Sequence, residues 1–370
     1  MKIGILTFHY SDNYGAVLQA FALKKYLESN GNSVEILNYN TSYLFMKNLD
    51  LRHKVVCKSW KAISILFGAY KRMRAFDSFR KKHLDISGDR IESKNALKKY
   101  INNNNFDYVI VGSDQVWNHD INGMDTAYFL DFKTNAQKIS YAASFGKSNI
   151  SKGLMRKYSR YLECFSAISV REKTAQTMLI PYLSQQVDIV PDPVFLLDKS
   201  IWNSLASDER LIKRNYILCY ILSGDRVIEK RMLEVAKNYQ KKYKAQIVFL
   251  GRKEYKRLIN DGYDAYFTSP FQFLNLIKNA ELVLTNSFHG TAFSVIFNKN
   301  FYSYVYTKTG VNLGSRIVDL LDYIGLSDRI VNDDKGVDLS EIEYAKIRNP
   351  LNDYIIHGKE FLESSIQRQE

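Results

Sequence analysis

Short apolar segments alternate with helical segments along this chain of 370 residues, and this alternation restricts the folds that it can adopt. Lys2–Phe8 reads as a strand, Gly15–Ser29 carries apolar residues at helical spacing, and Val34–Leu37 reads as the next strand. A strand, a helix and a second strand in this order form a parallel βαβ unit. The pattern therefore predicts an α/β protein with parallel sheets.

A second alternating series begins at about residue 210. In it, Tyr216–Ile221 reads as a strand, Val227–Tyr243 as a long helix and Gln246–Leu250 as a strand. Because each series is long enough to bury its own core, two Rossmann-like parallel-sheet domains facing a cleft are predicted. Their expected bounds are 1–205 and 206–345, followed by a C-terminal helix at 346–370 that packs back on the first domain.

Much of the positive charge lies in one segment of the chain. Of the net charge of +13, the segment Lys47–Lys82 contributes about +9, with eleven Lys and Arg against two Asp. We interpret it as a basic helical insertion, at about 45–100 in the first domain. Such a segment attracts phosphates, nucleic acid or an anionic membrane, or else forms a solvated helix face. Nucleic acid is not predicted as a partner, because the sequence contains no nucleic-acid-binding motif.

The cysteines and the N-terminal segment bear on where the protein works. Cys57, Cys164 and Cys219 are far apart and form no CxxC motif, which indicates a reducing compartment and no zinc site. The N-terminus lacks the pattern of a signal peptide, and no apolar stretch is long enough to cross a bilayer. We therefore expect a cytoplasmic protein, with peripheral contact to the inner face of the membrane through the basic segment.

The clearest candidate site is the turn that contains His289. It lies between the apolar run Leu282–Leu284 and the helix-like run Ala292–Phe297. A turn from a strand into a helix presents unpaired backbone N–H groups, which favour an anion. A histidine there can hold a phosphate and move a proton near neutral pH. His9, at the end of the first strand, is a weaker second candidate.

Polar segments also follow the predicted strands of the first domain. Asp12 and Asn13 either approach a ligand or cap the following helix. After the strand Phe106–Val111, Asp114 and Gln115 can bind sugar hydroxyls, and Trp117 either stacks on a sugar ring or fills the core.

Two arginines are candidates for holding an anionic ligand. Arg171 either forms a fork to a carboxylate or phosphate, or pairs with Glu172 or another nearby acid. Asp192, before Pro193, either forms a rigid turn or lines the cleft. Arg316, at the start of another predicted helix, is expected to join the anion site of His289.

Together, these segments resemble a known family over about residues 3–330. The segments are Asn13–Gly15 with Leu18–Gln19, Gly112–Trp117, Ser140–Gly146, Ser169–Glu172, Asp192–Pro193 and Ser287–Thr291. Their order and spacing resemble those of the polysaccharide pyruvyl transferases. The resemblance implies a two-domain fold similar to GT-B glycosyltransferases. It also implies transfer of the enolpyruvyl unit of phosphoenolpyruvate to a sugar, usually giving a pyruvate ketal on a cell-surface glycan.

The resemblance places the family's histidine on His289. Better-studied members carry an arginine two positions earlier, where this chain has Ser287. The donor-binding arginine is therefore expected elsewhere, and Arg171 and Arg316 are the candidates. The resulting hypothesis makes His289, Asp114 and Asp12 catalytic. Donor-binding residues would be Arg171, Arg316, Ser287, Gly290 and Thr291, and acceptor-binding residues Asn13, Tyr14, Gln19, Ser113, Gln115 and Trp117.

The predicted partners follow from this chemistry. Phosphoenolpyruvate is the donor substrate, and the acceptor is a hexose of a capsule or exopolysaccharide repeat unit, carried on a lipid diphosphate. The reaction requires no metal or other cofactor, and the sequence shows no metal-ligand cluster. Two alternatives stay open from the sequence: a nucleotide-sugar-dependent GT-B glycosyltransferase and a non-catalytic glycan-binding protein.

Overall fold

Two parallel sheets organise the protein in the computed structural model, each within its own compact unit. Unit 1 comprises Met1–Val56, Asp77–Leu197 and Asp353–Glu370, and unit 2 comprises Cys57–Phe76 and Asp198–Asn352. The structure describes residues 1–41, 60–86, 88–222, 226–250, 264–266, 268–305, 307–308, 311–312, 314–331, 337 and 340–366.

The sheet of unit 1 has six parallel strands in the order β2-β1-β3-β4-β5-β6. The strands are β1 (Lys2–Leu6), β2 (Ser33–Ile36), β3 (Tyr108–Val111), β4 (Gln137–Ala143), β5 (Ala167–Val170) and β6 (Val187–Ile189). The helices in this part of the chain are α1 (Tyr14–Ser29), α2 (Trp60–His83), α3 (Lys94–Asn103), α4 (His119–Asn122), α5 (Lys152–Leu162) and α6 (Lys173–Leu179).

The sheet of unit 2 also has six parallel strands, in the order β14-β11-β10-β7-β8-β9. They are β7 (Tyr216–Tyr220), β8 (Gln246–Leu250), β9 (Asp264–Tyr266), β10 (Leu282–Thr285), β11 (Phe301–Tyr304) and β14 (Ile330–Val331), while β12 (Thr307–Lys308) and β13 (Val311–Asn312) form a separate antiparallel pair. The helices are α7 (Lys199–Ala206), α8 (Arg226–Tyr243), α9 (Pro270–Asn279), α10 (Phe288–Ile296), α11 (Ser315–Tyr323) and α12 (Tyr344–Ser365).

The central strands β3 and β10 are largely apolar because both faces of a parallel sheet are buried. All four residues of β3, and all four of β10, are buried. In unit 1 the aromatic rings of Trp117, Phe129 and Tyr158 extend the core, with centroid distances of 5.4 Å and 4.1 Å along the stack. The predicted α/β class with two parallel-sheet domains is confirmed.

Two of the points at which the chain passes from one unit to the other lie within helices. Helix α2 belongs to unit 2 up to Phe76 and to unit 1 from Asp77, whereas the sequence analysis assigned the whole basic segment to the first domain. The part of that segment before Trp60 lies outside the described residues. Helix α12 changes unit after Asn352. Its last turns pack on unit 1, where the Tyr26 hydroxyl donates to Glu363 Oε1 at 2.9 Å.

Candidate active site

In both sheets the strand order reverses at one strand, and this reversal marks the expected position of a ligand site. In unit 1 the chain runs from β1 to β2 and then returns to β3 on the other side of β1. In unit 2 it runs from β7 to β8 and β9 and then returns to β10. Open parallel sheets bind ligands outside the carboxyl ends of the strands at such a reversal. The loops after β1 and β3, and after β7 and β10, are therefore the candidate site loops.

In unit 2, side-chain hydrogen bonds fix the turn after β10 to the neighbouring strand β7. Thr285 Oγ1 donates to the carbonyl of Tyr220 at 2.7 Å and accepts the N–H of Ser287 at 3.0 Å. Asn286 Oδ1 accepts the N–H of Leu222 at 2.7 Å. The two loops at the reversal in unit 2 are thereby held against each other.

The first turn of α10 is closely packed around Gly290. Ser287 is the N-cap, and its Oγ accepts the Gly290 N–H at 3.2 Å. A Cβ atom at Gly290 would lie 2.5 Å from Thr285 Oγ1, so only glycine fits here without a shift. Thr291 Oγ1 lies 3.1 Å from the carbonyl of Ser287. Three residues predicted to bind the donor thus also shape the turn.

His289 is the second residue of α10, is 7% exposed, and lies in this turn. A helix N-terminus favours a bound anion, because its first N–H groups and the helix dipole point towards the ligand. Arg316 occupies the same position in α11, is half-buried, and lies on a helix that packs against α10. The structure therefore places the predicted histidine and one predicted arginine in the first turns of two neighbouring helices.

In unit 1, the loop after β1 is held by an arginine that the sequence analysis did not identify. Arg80, in the last turn of α2, is 7% exposed and donates to Asp12 Oδ1 at 2.9 Å. It also pairs with Asp77 at 2.5 Å. Asn13 is the N-cap of α1 and accepts the Ala16 N–H at 3.3 Å, which is the capping role weighed for this segment.

Tyr14 and Gln19 lie inside unit 1. Tyr14 is 2% exposed, and Gln19 is fully buried. Gln19 Nε2 donates to Thr7 Oγ1 and to the carbonyl of Ala16, both at 2.9 Å. Their burial places both side chains beneath the surface of the loop, and the predicted contact with the acceptor stays a prediction.

Ser113, Arg171 and Asp192 form a buried network across the carboxyl ends of β3, β5 and β6. Arg171 Nη1 donates to Asp192 Oδ2 at 2.6 Å and to Ser113 Oγ at 3.2 Å, and Ser113 Oγ donates to the same Asp192 oxygen at 2.8 Å. Arg171 is 2% exposed and the other two are fully buried. Both side chains therefore take part in an internal network, and the ligand contacts predicted for Ser113 and Arg171 stay predictions.

The charge of Arg171 is well compensated. Burial lowers the pKa of its guanidinium, but the carboxylates of Asp192, Asp114 and Glu172 outweigh that effect and leave the pKa above its ordinary value. The nearest of these after Asp192 is Asp114, with Oδ1 4.0 Å from Arg171 Nη2. The network therefore reaches the loop that carries the predicted catalytic carboxylate.

Asp114 lies on an unusual backbone at this edge of the sheet. Its φ is +79°, and Ala142 on the adjacent strand β4 has a φ of +51°, where pairing with β5 shifts register. Asp114 and Ala143 form an isolated bridge. Non-glycine residues in left-handed conformations are costly and concentrate at functional sites. Two such residues, one after β3 and one on the adjacent strand β4, support a functional site at this edge of the sheet. The Asp114 side chain is 16% exposed there.

Trp117 lies in the core of unit 1, and its predicted stacking on a sugar ring stays a prediction. Its side chain is fully buried, its Nε1 donates to the carbonyl of Tyr128 at 2.9 Å, and its ring stacks on Phe129. It is a core residue, as the alternative interpretation stated. Gln115 is half-buried and accepts from Asn118 Nδ2 at 2.8 Å, which leaves its position at the loop surface compatible with the predicted acceptor contact.

A second buried pair at this edge was also missed from the sequence. Ser144 Oγ donates to Glu172 Oε1 at 2.7 Å, and both residues are almost fully buried. Ser144 Oγ also accepts the Gly146 N–H at 3.0 Å. The pair ties the loop after β4 to the start of α6. Both residues lie within segments that carry the family resemblance, and the contact between them is the information that a single sequence lacks.

The predicted site residues divide between the two units. His289 and Arg316 belong to unit 2, and Asp12, Asp114 and Arg171 belong to unit 1. Asp12 and Asp114 lie in the loops at the reversal of the first sheet, and His289 lies in the turn at the reversal of the second. The predicted cleft that would bring both groups to one ligand stays a prediction.

His9 is held neutral, which removes it as a proton source at pH 7. Burial lowers its pKa from 6.5 to about 4, although contacts of Nδ1 with the Thr7 carbonyl and Nε2 with Asn38 Oδ1 oppose the change. In the unfolded chain a histidine takes up its proton near pH 6.5. Between that pH and 4 the unfolded state binds more protons, so stability falls as pH falls.

We expect His9→Gln to remove this acid sensitivity. Wild type should lose about 2 kcal/mol more unfolding free energy than His9→Gln between pH 7 and pH 5, measured by urea denaturation. His357→Gln is the control, because the His357 side chain is 46% exposed and should leave the wild-type pH dependence unchanged. Equal pH dependence in wild type and His9→Gln would contradict the prediction.

The described residues show neither a metal-binding cluster nor a membrane-spanning helix. Within them, no group of three or more His, Cys, Asp or Glu side chains is arranged to hold a metal ion. None of the helices described has the length and apolar character needed to span a membrane.

The comparisons with known proteins bear on both fold and family. The family model of the polysaccharide pyruvyl transferases matches residues 13–308. No curated protein matches the chain. UDP-GlcNAc 2-epimerase from Methanocaldococcus jannaschii is 13% identical, with a TM-score of 0.51 over 96% of this chain and 93% of that chain. The Neisseria meningitidis epimerase bound to UDP-GlcNAc is 12% identical, with a TM-score of 0.51 over 100% and 95%. These similarities show a fold of the GT-B class.

Proposed function

The chain belongs to the polysaccharide pyruvyl transferase family, and from this membership we propose that it transfers the enolpyruvyl unit of phosphoenolpyruvate to a hexose. The acceptor is a bacterial surface polysaccharide or its lipid-linked repeat unit, and the products are a pyruvate ketal and phosphate. The observation that carries the proposal is the position of His289, in the first turn of α10 at the strand-order reversal of unit 2.

Donor binding is assigned to unit 2. Phosphoenolpyruvate carries a phosphate and a carboxylate, so its site needs several N–H or cationic donors. The first turn of α10 supplies the positive end of the helix dipole and the His289 side chain, and Arg316 supplies a guanidinium from the adjacent helix. Because Arg171 is buried against Asp192, the donor-binding arginine that replaces the one absent at Ser287 is Arg316.

The reaction needs one proton delivered to carbon and two hydroxyl oxygens added to the neighbouring carbon. His289, as imidazolium, donates its proton to the methylene carbon of the enol, and the first sugar hydroxyl oxygen bonds to the carbon that carries the phosphate. A carboxylate accepts the proton of that hydroxyl. A second hydroxyl of the same sugar then replaces the phosphate group, which leaves with the electrons of its C–O bond and takes up the remaining proton.

Asp114 is favoured over Asp12 as the carboxylate that accepts the hydroxyl proton. Asp12 is paired with the buried Arg80 at 2.9 Å, and this ion pair occupies its carboxylate. Asp114 lies on the strained backbone after β3, and its Oδ1 is 4.0 Å from Arg171 Nη2. Gln115 and Asn13, on the same two loops, are the remaining acceptor contacts in the proposal.

The basic segment is the reason for proposing that the acceptor is bound to a lipid carrier at the membrane surface. The exposed residues Lys81 and Lys82 lie in the last turn of α2, and the sequence of the segment has an excess of positive charge. A basic surface is attracted to anionic lipids and to a lipid diphosphate. We further propose that this protein is cytoplasmic and makes peripheral contact with the inner face of the membrane.

Isothermal calorimetry with phosphoenolpyruvate tests the donor assignment. We expect saturable binding to wild type, weakened about tenfold or more by His289→Ala and by Arg316→Ala, since each removes a donor to a charged ligand. The control is Arg348→Ala, which removes an exposed arginine of unit 2 and should leave binding unchanged. A folded wild type that binds UDP- or GDP-sugars but not phosphoenolpyruvate would instead favour the nucleotide-sugar glycosyltransferase.

A further inference from the structure

Three side chains meet at the surface of unit 1, in the loops after β3 and β4. They are His119, Asp120 and Lys147, referred to below as the Lys147 cluster. Lys147 Nζ lies 3.2 Å from His119 Nε2. Asp120 Oδ1 lies 3.3 Å from His119 Nε2, and Asp120 Oδ2 pairs with Lys147 Nζ. An ammonium group and an imidazole therefore converge on the two oxygens of one carboxylate.

The side chains of His119 and Lys147 are less exposed than the Asp120 carboxylate that they contact. The side chains of His119 and Lys147 are 20% and 23% exposed, whereas Asp120 is 63% exposed. A largely exposed carboxylate can turn into solvent at small cost, because exposed ion pairs contribute little to stability. Its present position shows that the geometry of His119 and Lys147 accommodates an oxyanion, and that an anion arriving from solution can take its place.

The Lys147 cluster borders the loop that is proposed to bind the acceptor. Asn118, next to His119, donates to Gln115 Oε1 at 2.8 Å. Gly146, next to Lys147, packs so tightly on Gln115 that a Cβ atom there would lie 1.9 Å from Gln115 Oε1, and its φ is +61°. Because Gln115 follows Asp114 directly, an anion held by the cluster would lie beside the proposed catalytic carboxylate.

We propose that Lys147 and His119 bind the diphosphate group of the acceptor, which displaces the Asp120 carboxylate. This inference rests on the proposed function, since a repeat unit under assembly carries its first sugar on a diphosphate. Phosphate oxygens match the donors available: an ammonium with three N–H groups and an imidazole with a ring N–H. Asp120 acts as an internal competitor, so its removal strengthens binding of the ligand.

Calorimetric titration with inorganic pyrophosphate tests the assignment. We expect Lys147→Ala to weaken pyrophosphate binding about tenfold or more, because it removes a charge-assisted hydrogen bond. Asp120→Asn should strengthen binding about threefold or more, because the competing charge is gone while the side chain keeps its shape. Lys133→Ala, which removes an exposed lysine elsewhere in unit 1, is the control and should have no effect.

The opposite responses of the two variants separate the proposal from a mere surface ion pair. If Lys147→Ala and Asp120→Asn both left pyrophosphate binding unchanged, or if Asp120→Asn weakened it, the proposal would be overturned. Because pyrophosphate could also bind at the proposed donor site, the titrations are repeated in the His289→Ala background. The same changes in pyrophosphate affinity are expected there for Lys147→Ala and Asp120→Asn.

Two further titrations identify the source of the diphosphate and keep this inference separate from the donor assignment. Farnesyl diphosphate binding more tightly than UDP supports a lipid-linked acceptor, and the reverse order supports a nucleotide-linked one. Both ligands should lose affinity in Lys147→Ala. Phosphoenolpyruvate affinity should be the same in wild type and Lys147→Ala. If wild type did not bind phosphoenolpyruvate, the proposed donor would be overturned. The changes in pyrophosphate affinity caused by Lys147→Ala and Asp120→Asn would still decide this inference.

Discussion

Replacement of His289 by glutamine is expected to lower the rate of pyruvyl transfer about 10²- to 10⁴-fold, the range for loss of a general acid. Glutamine can still donate a hydrogen bond near the position of the imidazole, but it cannot deliver a proton to the methylene carbon. The fall should therefore appear in kcat, with a smaller change in KM for phosphoenolpyruvate. The measurement is the initial rate of phosphate release, with a pyruvate-free surface polysaccharide as acceptor.

The control for this variant is His357→Gln, which changes a histidine that is 46% exposed. It should retain wild-type turnover. The melting temperature of His289→Gln should stay close to that of wild type, since Ser287 rather than His289 caps α10. Near-normal turnover by a folded His289→Gln protein would remove the histidine from the proposed chemistry.

The largest effect on stability is expected from Asp192→Ala. It leaves the Arg171 guanidinium, 2% exposed, without its closest counter-ion, and it deprives Ser113 of the oxygen to which it donates. Removing one partner of a buried ion pair costs about 3–5 kcal/mol. We expect a loss of that size in the free energy of unfolding of unit 1, measured by urea denaturation. Glu343→Ala, at an ion pair that is about 70% exposed, should cost less than about 1 kcal/mol.

A double variant distinguishes the lost charge from lost packing. In Arg171→Met with Asp192→Leu, both charges are replaced by apolar side chains, and such replacements are often neutral or stabilising. We expect the double variant to recover most of the stability lost by Asp192→Ala. If Asp192→Ala alone cost no more than the exposed control, the network would not hold this edge of the sheet.

The fold was predictable from the sequence because its signals are local. Apolar runs such as Tyr108–Val111 mark buried strands, and residues such as Asn13 mark where helices start. The same locality placed His289 in a turn from a strand into a helix. Predicted element ends differ from the observed ones by one or two residues, as for β1, which ends at Leu6 rather than Phe8.

Several predicted site residues are buried, for a reason that the local sequence does not show. Trp117 and Arg171 have side chains suited to ligands, but contacts distant in sequence determine how deeply they are buried. Arg171 meets Ser113, 58 residues earlier, and Asp12 meets Arg80, 68 residues later. No local pattern encodes such a pairing. Polar residues at strand ends therefore indicated the correct edge of the sheet, but not which of them face outward and which support the others from within.

The division of the chain also sets an order of events during synthesis. Unit 1 is assembled from three separate stretches, and its last stretch, Asp353–Glu370, follows all of unit 2 along the chain and is therefore synthesised after it. The hydrogen bond from Tyr26 to Glu363 joins residues 337 positions apart. The strands of unit 2 lie wholly between, from Tyr216 to Val331. We therefore expect unit 2 to be able to complete its sheet before the last turns of α12 have been synthesised. During that interval unit 1 is incomplete and is accessible to chaperones and proteases.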